Sequence, residues 1–463
     1  MDETSRASAS PTQRARYALA LLFGTTLEVR RRPYVIAGLS LAIVKYGVEA
    51  AVIWLLAGHA LTPLEFVSPV LKGREQLLAG GPTWLSWALF VWTIPFLWIA
   101  FTMSVRRAAN AFASPWMGLL VLVPCINLLL MARLCFASAN RNLTWRDPSR
   151  AVEELHQIRS AAIAVGLCTL LGLTMTALAT HVVQLYGSSL FLATPTAMGA
   201  ISAYAYNRQR SRSCGSTLLV ALLSVTLAGL SLLLFAVEGL ICLVMAAPLA
   251  LPLGALGGCI GKAVADRSEP SRPGALFPIF CLPLLVGAEA AFVASREREV
   301  LTAVEINAPP ATVWAHVVSF PSLPEPTEFL FRVGIACPQS ARIDGEGVGA
   351  IRYCVFSTGE FVEPITVWEP AVRLGFDVVS QPAPMFELSP YHDLHPPHLD
   401  GALMSRRGEF RLVPLSNGRT RLEGRTWYVL ELFPLAYWSL WSDAIIHRIH
   451  ERVLRHVQRL AES

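Results

Sequence analysis

The sequence predicts an all-α polytopic membrane domain followed by an α+β domain, in which a seven-stranded antiparallel sheet curves around a long C-terminal helix. Three observations carry this. Apolar runs of 18 residues or more recur upstream of Ser295, among them Tyr34–Ala57, Thr83–Met103, Leu218–Val237 and Leu276–Val293. A helix needs about 20 such residues to cross about 30 Å of hydrocarbon. Downstream of Ser295 no run is long enough, and short alternating segments take over, the period of half-buried strands. The chain then closes on an amphipathic stretch with no internal proline.

Composition fits this division. The 463 residues are 54% hydrophobic, with a mean hydropathy of +0.48, too apolar for a purely water-soluble protein. Charge is split: from Ser295 onward there are 16 Arg, no Lys and 20 Asp plus Glu, whereas the whole chain carries +5. Neither half shows the dense basic face that nucleic acid requires. The expected parts are a polar tail (1–33), a membrane domain (34–294) and a soluble domain (295–463). Met1–Arg16 lacks an apolar core followed by a cleavage site, so the first span is expected to stay as an anchor. No pair of cysteines has a zinc-ribbon spacing. Cys337 and Cys354, on neighbouring predicted strands, are read as buried thiols or as a disulfide.

The expected spans are 34–57, 83–103, 160–183, 188–206, 217–237, 240–262 and 275–294. The segment 115–136 has Pro124 and Asn127 at its middle, where proline removes a helix hydrogen bond. Reading it as re-entrant places eleven basic residues from Arg133 to Arg272 on the side of the Arg-rich start, as the positive-inside rule prefers. Seven crossings of the inner (plasma) membrane then put the C-terminal domain outside the cytoplasm. Within the spans, Lys45 and Glu49 stand one turn apart and should pair. Glu238 and Glu289 look isolated, and Pro248 and Pro252 should break the sixth crossing. Residues 83–136, with Ser104-Val105-Arg106-Arg107 and Pro115-Trp116, resemble a small bacterial inner-membrane family of unknown function. That family continues its paired arginines with Leu-His-Asp, where this chain has Ala108-Ala109-Asn110.

In the soluble part, Val300–Asn307 alternates as a strand, and Pro310–Val318 reads as a short helix with Val313, Trp314 and Val317 on one side. Strand-like runs follow at about 331–343, 348–357, 360–369, 372–379, 403–414 and 419–432, with Asn417-Gly418 as a hairpin signal. Residues 434–461 form the closing helix, with Ile445, Ile449, Val453 and Leu460 as its apolar stripe. The residues Val304-Glu305-Ile306-Asn307-Ala308-Pro309-Pro310, Val313-Trp314 and Gly349-Ala350-Ile351-Arg352-Tyr353 resemble the START-like superfamily, the polyketide cyclase/dehydrase and lipid-transport group. The resemblance covers about 300–461. It implies the helix-grip fold, in which sheet and terminal helix enclose an elongated apolar cavity.

Candidate ligand-binding residues are Trp314, Phe331, Phe356, Met385, Tyr391, Arg406, Trp427, Trp438, Trp441 and His450. Most offer apolar or aromatic lining of the kind that suits a hydrophobic ligand; core packing alone also asks for such side chains. Pro382–Gly401 is too long for a hairpin and reads as a lid over the cavity mouth. Its His392, His395 and His398, near Asp393 and Asp400, are open to three readings: acid–base chemistry, metal binding, or a hydrogen-bonded lid without chemistry. Asp443, His447 and His450 share one face of the last helix, where Asp443 either orients His447 or forms a local ion pair. One of Arg406 and Arg407 must point inward by strand alternation.

These observations favour a membrane-tethered binder of a lipid or similar hydrophobic small molecule, without cofactor or metal, over an enzyme. A cyclase- or hydrolase-type enzyme using His392, His395, His398, Asp443 or His447 is the alternative, and a sensor or assembly module the third. The expected partners are the bilayer and the hydrophobic ligand, not nucleic acid.

Overall fold

The computed structural model describes residues 11–24, 29–67, 78, 80–82, 84–112, 115–122, 126–139, 148–267, 277–292, 297–389 and 394–463. The chain divides into two compact units: residues 1–167 with 202–220, and residues 168–201 with 221–463. The boundary falls inside the helical half, so several apolar helices belong with the soluble domain.

The first unit begins with α1 (Pro11–Phe23), α2 (Arg31–Ala57), α3 (Pro63–Val67) and α4 (Leu85–Phe112). A 3-10 segment (Pro115–Leu122), α5 (Ile126–Phe136) and the start of α6 (Pro148–Ala177) follow. The predicted Lys45–Glu49 pair forms within α2. The described part of 115–136 is two short helical pieces, and Pro124 lies outside the described residues. Gly118 lets the first piece approach α4 closely, because a Cβ there would collide with the Val105 backbone. Arg106 and Arg107 are buried in α4 and donate to backbone carbonyls, Arg106 to Thr102 and Leu21, Arg107 to Leu134 and Ala137.

The second unit takes up the end of α6, which loosens into a π-helical turn (Leu178–Val183). Another π turn (Ser189–Ala193) leads into α7 (Thr194–Asn207). Next come α8 (Cys214–Leu234), whose start up to Val220 belongs with the end of α7 to the first unit, then α9 (Leu240–Arg267) and α10 (Phe277–Phe292). Among the described residues four helices are long and apolar enough to cross a membrane: Arg31–Ala57, Arg159–Val183, Cys214–Leu234 and Leu240–Arg267. Their number and composition mark a membrane protein.

Three expectations about this part need correction. α9 runs unbroken through Pro248 and Pro252, as membrane helices can when neighbours satisfy the freed groups. Glu289 is not isolated: its carboxylate accepts from Ser188 N at 2.5 Å, Ser189 N at 2.8 Å and Ser189 Oγ at 2.6 Å, at the start of the second π turn. Glu238 accepts from the Tyr186 hydroxyl at 2.8 Å.

The soluble part consists of β1 (Glu297–Ile306), α11 (Pro310–Val318), α12 (Phe329–Arg332), β2 (Pro338–Asp344), β3 (Ile351–Phe356), β4 (Gly359–Glu369), β5 (Arg373–Asp377), β6 (Leu403–Pro414), β7 (Thr420–Leu430) and α13 (Leu435–Ala461). The seven strands form one antiparallel sheet in the order β1-β7-β6-β5-β4-β3-β2, with α13 packed on it, the helix-grip architecture. The run predicted as strand from 331 instead opens with the helical turn of α12. Strand alternation builds the core: Ile306, Ile365, Leu374, Leu412 and Leu422 meet Val453, Leu454 and Val457 of α13. On the other face, Glu409 stands opposite Arg425 and Arg411 opposite Glu423, ordinary cross-strand charge pairing. Cys337 and Cys354 are buried free thiols, so the disulfide alternative does not form.

Candidate functional site

Between the sheet and α13 lies a cavity of about 180 Å³. For scale, a dry cavity of about 150 Å³ lined by aliphatic and aromatic side chains accepts benzene. Its walls are mostly apolar: Phe356 and Phe361 from β3 and β4, Phe376 and Phe410 from β5 and β6, and Trp438, Trp441, Ile445 and Ile449 from α13. The sheet's curvature needs Gly408, because a Cβ there would drive into the Phe376 ring.

Polar groups interrupt this lining, foremost the Arg352–Glu363 pair and His450. Arg352 and Glu363 are register partners across β3 and β4 and form a buried ion pair. Burial opposes the charge of Arg352, but the Glu363 carboxylate outweighs it and holds the guanidinium pKa above its ordinary value. Three rings stack around the same cation, Phe376 at 5.3 Å, Phe410 at 5.5 Å and Phe320 at 5.9 Å from Cζ. Its Nε has no hydrogen-bond partner among the described residues. His450 is the second group. Its Nε2 lies 2.8 Å from Thr426 Oγ1 and its Nδ1 3.0 Å from Thr302 Oγ1. What surface it keeps faces the cavity. Burial, with repulsion from His447 second, lowers its pKa to about 4, so the ring is neutral near pH 7.

The loop after β5 borders the mouth of this cavity with Pro382, Ala383, Pro384, Met385 and His398. Its first half is pinned to the sheet side: Ala336 N donates to Pro384 O at 2.9 Å and Phe386 N to Gly334 O at 2.8 Å. It then reaches the first turn of α9, whose amides have no helical acceptor. Leu240 N donates to Leu388 O at 2.8 Å and Ile241 N to Glu387 Oε2 at 3.1 Å. Gly239 permits this approach, since a Cβ there would collide with the Glu387 carboxylate. A second chamber of about 400 Å³ lies among the membrane helices of this unit, lined by α7, α8 and α9. The two hollows share three wall residues, His398, Leu432 and Trp438.

Of the residues singled out in the sequence, Phe356, Met385, Trp438, Trp441, His398 and His450 line the first cavity. Trp314 packs edge-on against Trp368 at 5.4 Å, within the core. Phe331 joins a separate cluster with Ile241, Ile335 and Leu399. Trp427 lies under the Arg407 guanidinium at 4.5 Å. Arg407, not Arg406, borders the cavity, because a bulge between Ser405 and Arg407 resets the alternation. Tyr391 and His392 lie outside the described residues.

His395 and His398 do not converge. His395 is exposed and pairs with Asp400 at 2.8 Å, whereas His398 is buried and turns toward α9. Asp443 does not orient His447. It pairs with Arg298 at 2.8 Å and accepts from the Tyr428 hydroxyl at 2.5 Å. His447 Nδ1 instead lies 2.6 Å from Thr302 Oγ1. Sequence reading missed Arg352 and Glu363, although Arg352 shares an alternation with Cys354 and Phe356 that points it inward. It also missed Cys242 beside His398, for which a separation of 156 positions leaves no local signal.

Residues 297–428 match the family model described as polyketide cyclase/dehydrase and lipid transport. None of the curated proteins matches the chain. Solved structures similar to the C-terminal domain include norcoclaurine synthase from Thalictrum flavum, at 12% identity and a TM-score of 0.25, covering 36% of this chain and 96% of that one. Another is the Zhui aromatase/cyclase from Streptomyces sp. R1128, at 17% identity and a TM-score of 0.23, covering 36% and 94%. A third is the Aha1 dimer from Colwellia psychrerythraea, at 12% identity and a TM-score of 0.22, covering 36% and 96%. At these identities the likeness concerns the fold alone.

Proposed function

We propose that the C-terminal domain binds a lipid or similar hydrophobic small molecule beside the membrane that anchors the chain. The observation that carries this reading is the cavity between sheet and α13, whose aromatic walls leave about 180 Å³ unfilled. The family match over 297–428 is compatible with hydrophobic ligand binding. Apolar walls with a few placed polar groups are the usual build of a small-molecule site. Phe356, Met385, Trp438 and Trp441 supply contact area, while Arg352, Arg407 and His450 offer hydrogen bonds to a polar end. Tethering suits a ligand that partitions into lipid, because capture then needs no passage through water.

The test is made on the full chain, extracted with its surrounding bilayer into nanodiscs. Bound small molecules are identified by mass spectrometry and compared with those of a Met385→Trp variant, whose larger ring fills the mouth. A hydrophobe enriched in the parent and depleted in the variant is expected. Equal recovery from both, with equal thermal stability, refutes the reading. We further propose that this domain lies outside the cytoplasm of an inner-membrane protein. Because Cys337 and Cys354 are buried, a Ser416→Cys probe on an exposed turn is the better reporter. It should react with a membrane-impermeant maleimide in intact cells.

A further inference from the structure

In the second chamber a thiol meets an imidazole. Cys242 Sγ lies 2.9 Å from Nε2 of His398, and the opposite ring nitrogen, Nδ1, lies 3.3 Å from Glu238 Oε2. The other carboxylate oxygen of Glu238 accepts from the Tyr186 hydroxyl at 2.8 Å. Burial first, and the Glu238 charge second, push the Tyr186 phenol far above its ordinary pKa, so it remains a donor. Glu238 and His398 are each more than nine-tenths buried. Thiol, imidazole and carboxylate therefore stand in series through the two nitrogens of one ring. The Nδ1 contact is an ion-pair approach to Glu238 rather than an aligned hydrogen bond, while Nε2 faces the thiol and is placed to take its proton.

The three donor atoms also lie within 4.8 Å of one another, close enough to suggest a metal centre. The ring decides between the readings. One imidazole presents a single nitrogen to a metal, whereas here the sulfur and the carboxylate address opposite nitrogens. That order is the one a nucleophile, its general base and an orienting carboxylate require. Cys242 is also the third residue of α9, in the turn whose first amides already bond Leu388 and Glu387.

The chamber indicates the substrate. It is mostly apolar; its charged and titratable side chains are Tyr186, Glu238, Cys242 and His398, and Thr176, Thr194 and Thr226 are its other polar ones. Its walls include Leu230, Val244 and Leu251, which are exposed on the outer faces of α8 and α9, so it opens toward hydrocarbon. Such a space takes an alkyl chain with its carbonyl at the sulfur. We propose that Cys242, His398 and Glu238 are the nucleophile, base and positioning residue of an acyl-transfer site acting on a long-chain ester or thioester drawn from the bilayer. Sγ attacks the carbonyl carbon as its proton passes to Nε2. The bond to the leaving alkoxide or thiolate breaks, and the leaving group takes that proton. Water then attacks the Cys242 thioester, giving its proton to Nε2, and the departing sulfur recovers it. The inference goes beyond ligand binding in the sheet cavity and does not depend on it.

The probe is p-nitrophenyl myristate, given to the full chain in nanodiscs, with nitrophenol release and peptide mass spectrometry as readouts. The expected result is one hydroxylamine-labile myristoyl group on Cys242. Cys242→Ala should abolish it, and His398→Gln should slow its formation by about 100- to 10,000-fold. Glu238→Gln should slow it, and Glu238→Asp should recover part of the rate. A merely structural Glu238 would show no such rescue by the shorter carboxylate. The mapping on the unsubstituted chain needs no variant to fold. Absence of a Cys242 adduct there overturns the proposal, as does an equal rate in a folded His398→Gln. One tightly held zinc per chain that depends on both Cys242 and His398 would overturn it in favour of a metal centre.

Discussion

Removing the carboxylate from Glu363 leaves a guanidinium with almost no water. The side chains of Arg352 and Glu363 are 2% and 7% exposed, and among the described residues Arg352 Nε already lacks a partner. Breaking a buried pair by deleting one member costs about 3–5 kcal/mol, because the remaining charge stays uncompensated. The rings of Phe376, Phe410 and Phe320 offset part of this, at about 0.5–2 kcal/mol for each well-placed cation–π contact. Glu363→Gln is therefore expected at the lower end, about 3 kcal/mol. The double variant Arg352→Met, Glu363→Leu has no charge to strand and should stay within about 1 kcal/mol of the parent, since apolar replacement of a buried pair is often neutral. Urea unfolding of the full chain in detergent, followed by tryptophan fluorescence, measures both. A loss below about 1 kcal/mol for Glu363→Gln, or a double variant no better than the single one, refutes the reasoning. If the double variant is stable but retains no co-purifying hydrophobe, the pair serves as the polar anchor of the cavity.

Two further predictions follow from the same neighbourhood. His450 has its pKa lowered to about 4 from an ordinary 6.5, so the unfolded chain binds this proton first. Its contribution, about 3 kcal/mol at most, is complete above pH 6.5 and is lost as pH falls toward 4. His450→Gln should flatten that limb of a stability-versus-pH curve, and an unchanged slope would count against a neutral buried ring. Gly239→Ala should push Glu387 off the Ile241 amide and free the 382–401 loop. Limited proteolysis would then cut that loop faster than in the parent, and equal cutting would show that the contact does not hold it.

The sheet and its grip on the last helix were legible because alternation, the Ala308-Pro309-Pro310 break and the Asn417-Gly418 turn are local signals. Strand edges shifted only where helical turns or bulges intervened, as at Phe329–Arg332 and Ser405–Arg407. The membrane half was harder to read. Hydropathy marks apolar stretches, but it does not report that α9 tolerates Pro248 and Pro252, or that π turns flank Tyr186. Site residues divided the same way. Phe356, Met385, Trp438 and His450 follow from periodicity on their own elements. Cys242 and Glu238 gain meaning only from His398, which tertiary structure brings to them from the far side of two domains' worth of chain. The role of Arg352 depends on its register partner across the ladder, Glu363, which no local pattern names.

The first turn of α9 has no amide acceptors of its own and takes them from Glu387 and Leu388. Swinging that loop aside would bare two peptide groups, at roughly 1–3 kcal/mol each if water does not replace the bonds. Access to the hollow under the sheet and the seating of a bilayer-crossing rod are thereby one mechanical variable. A change in membrane thickness or lateral tension that tugs on this rod would be felt at the doorway, and an occupant that props the doorway open would pull on the rod in return.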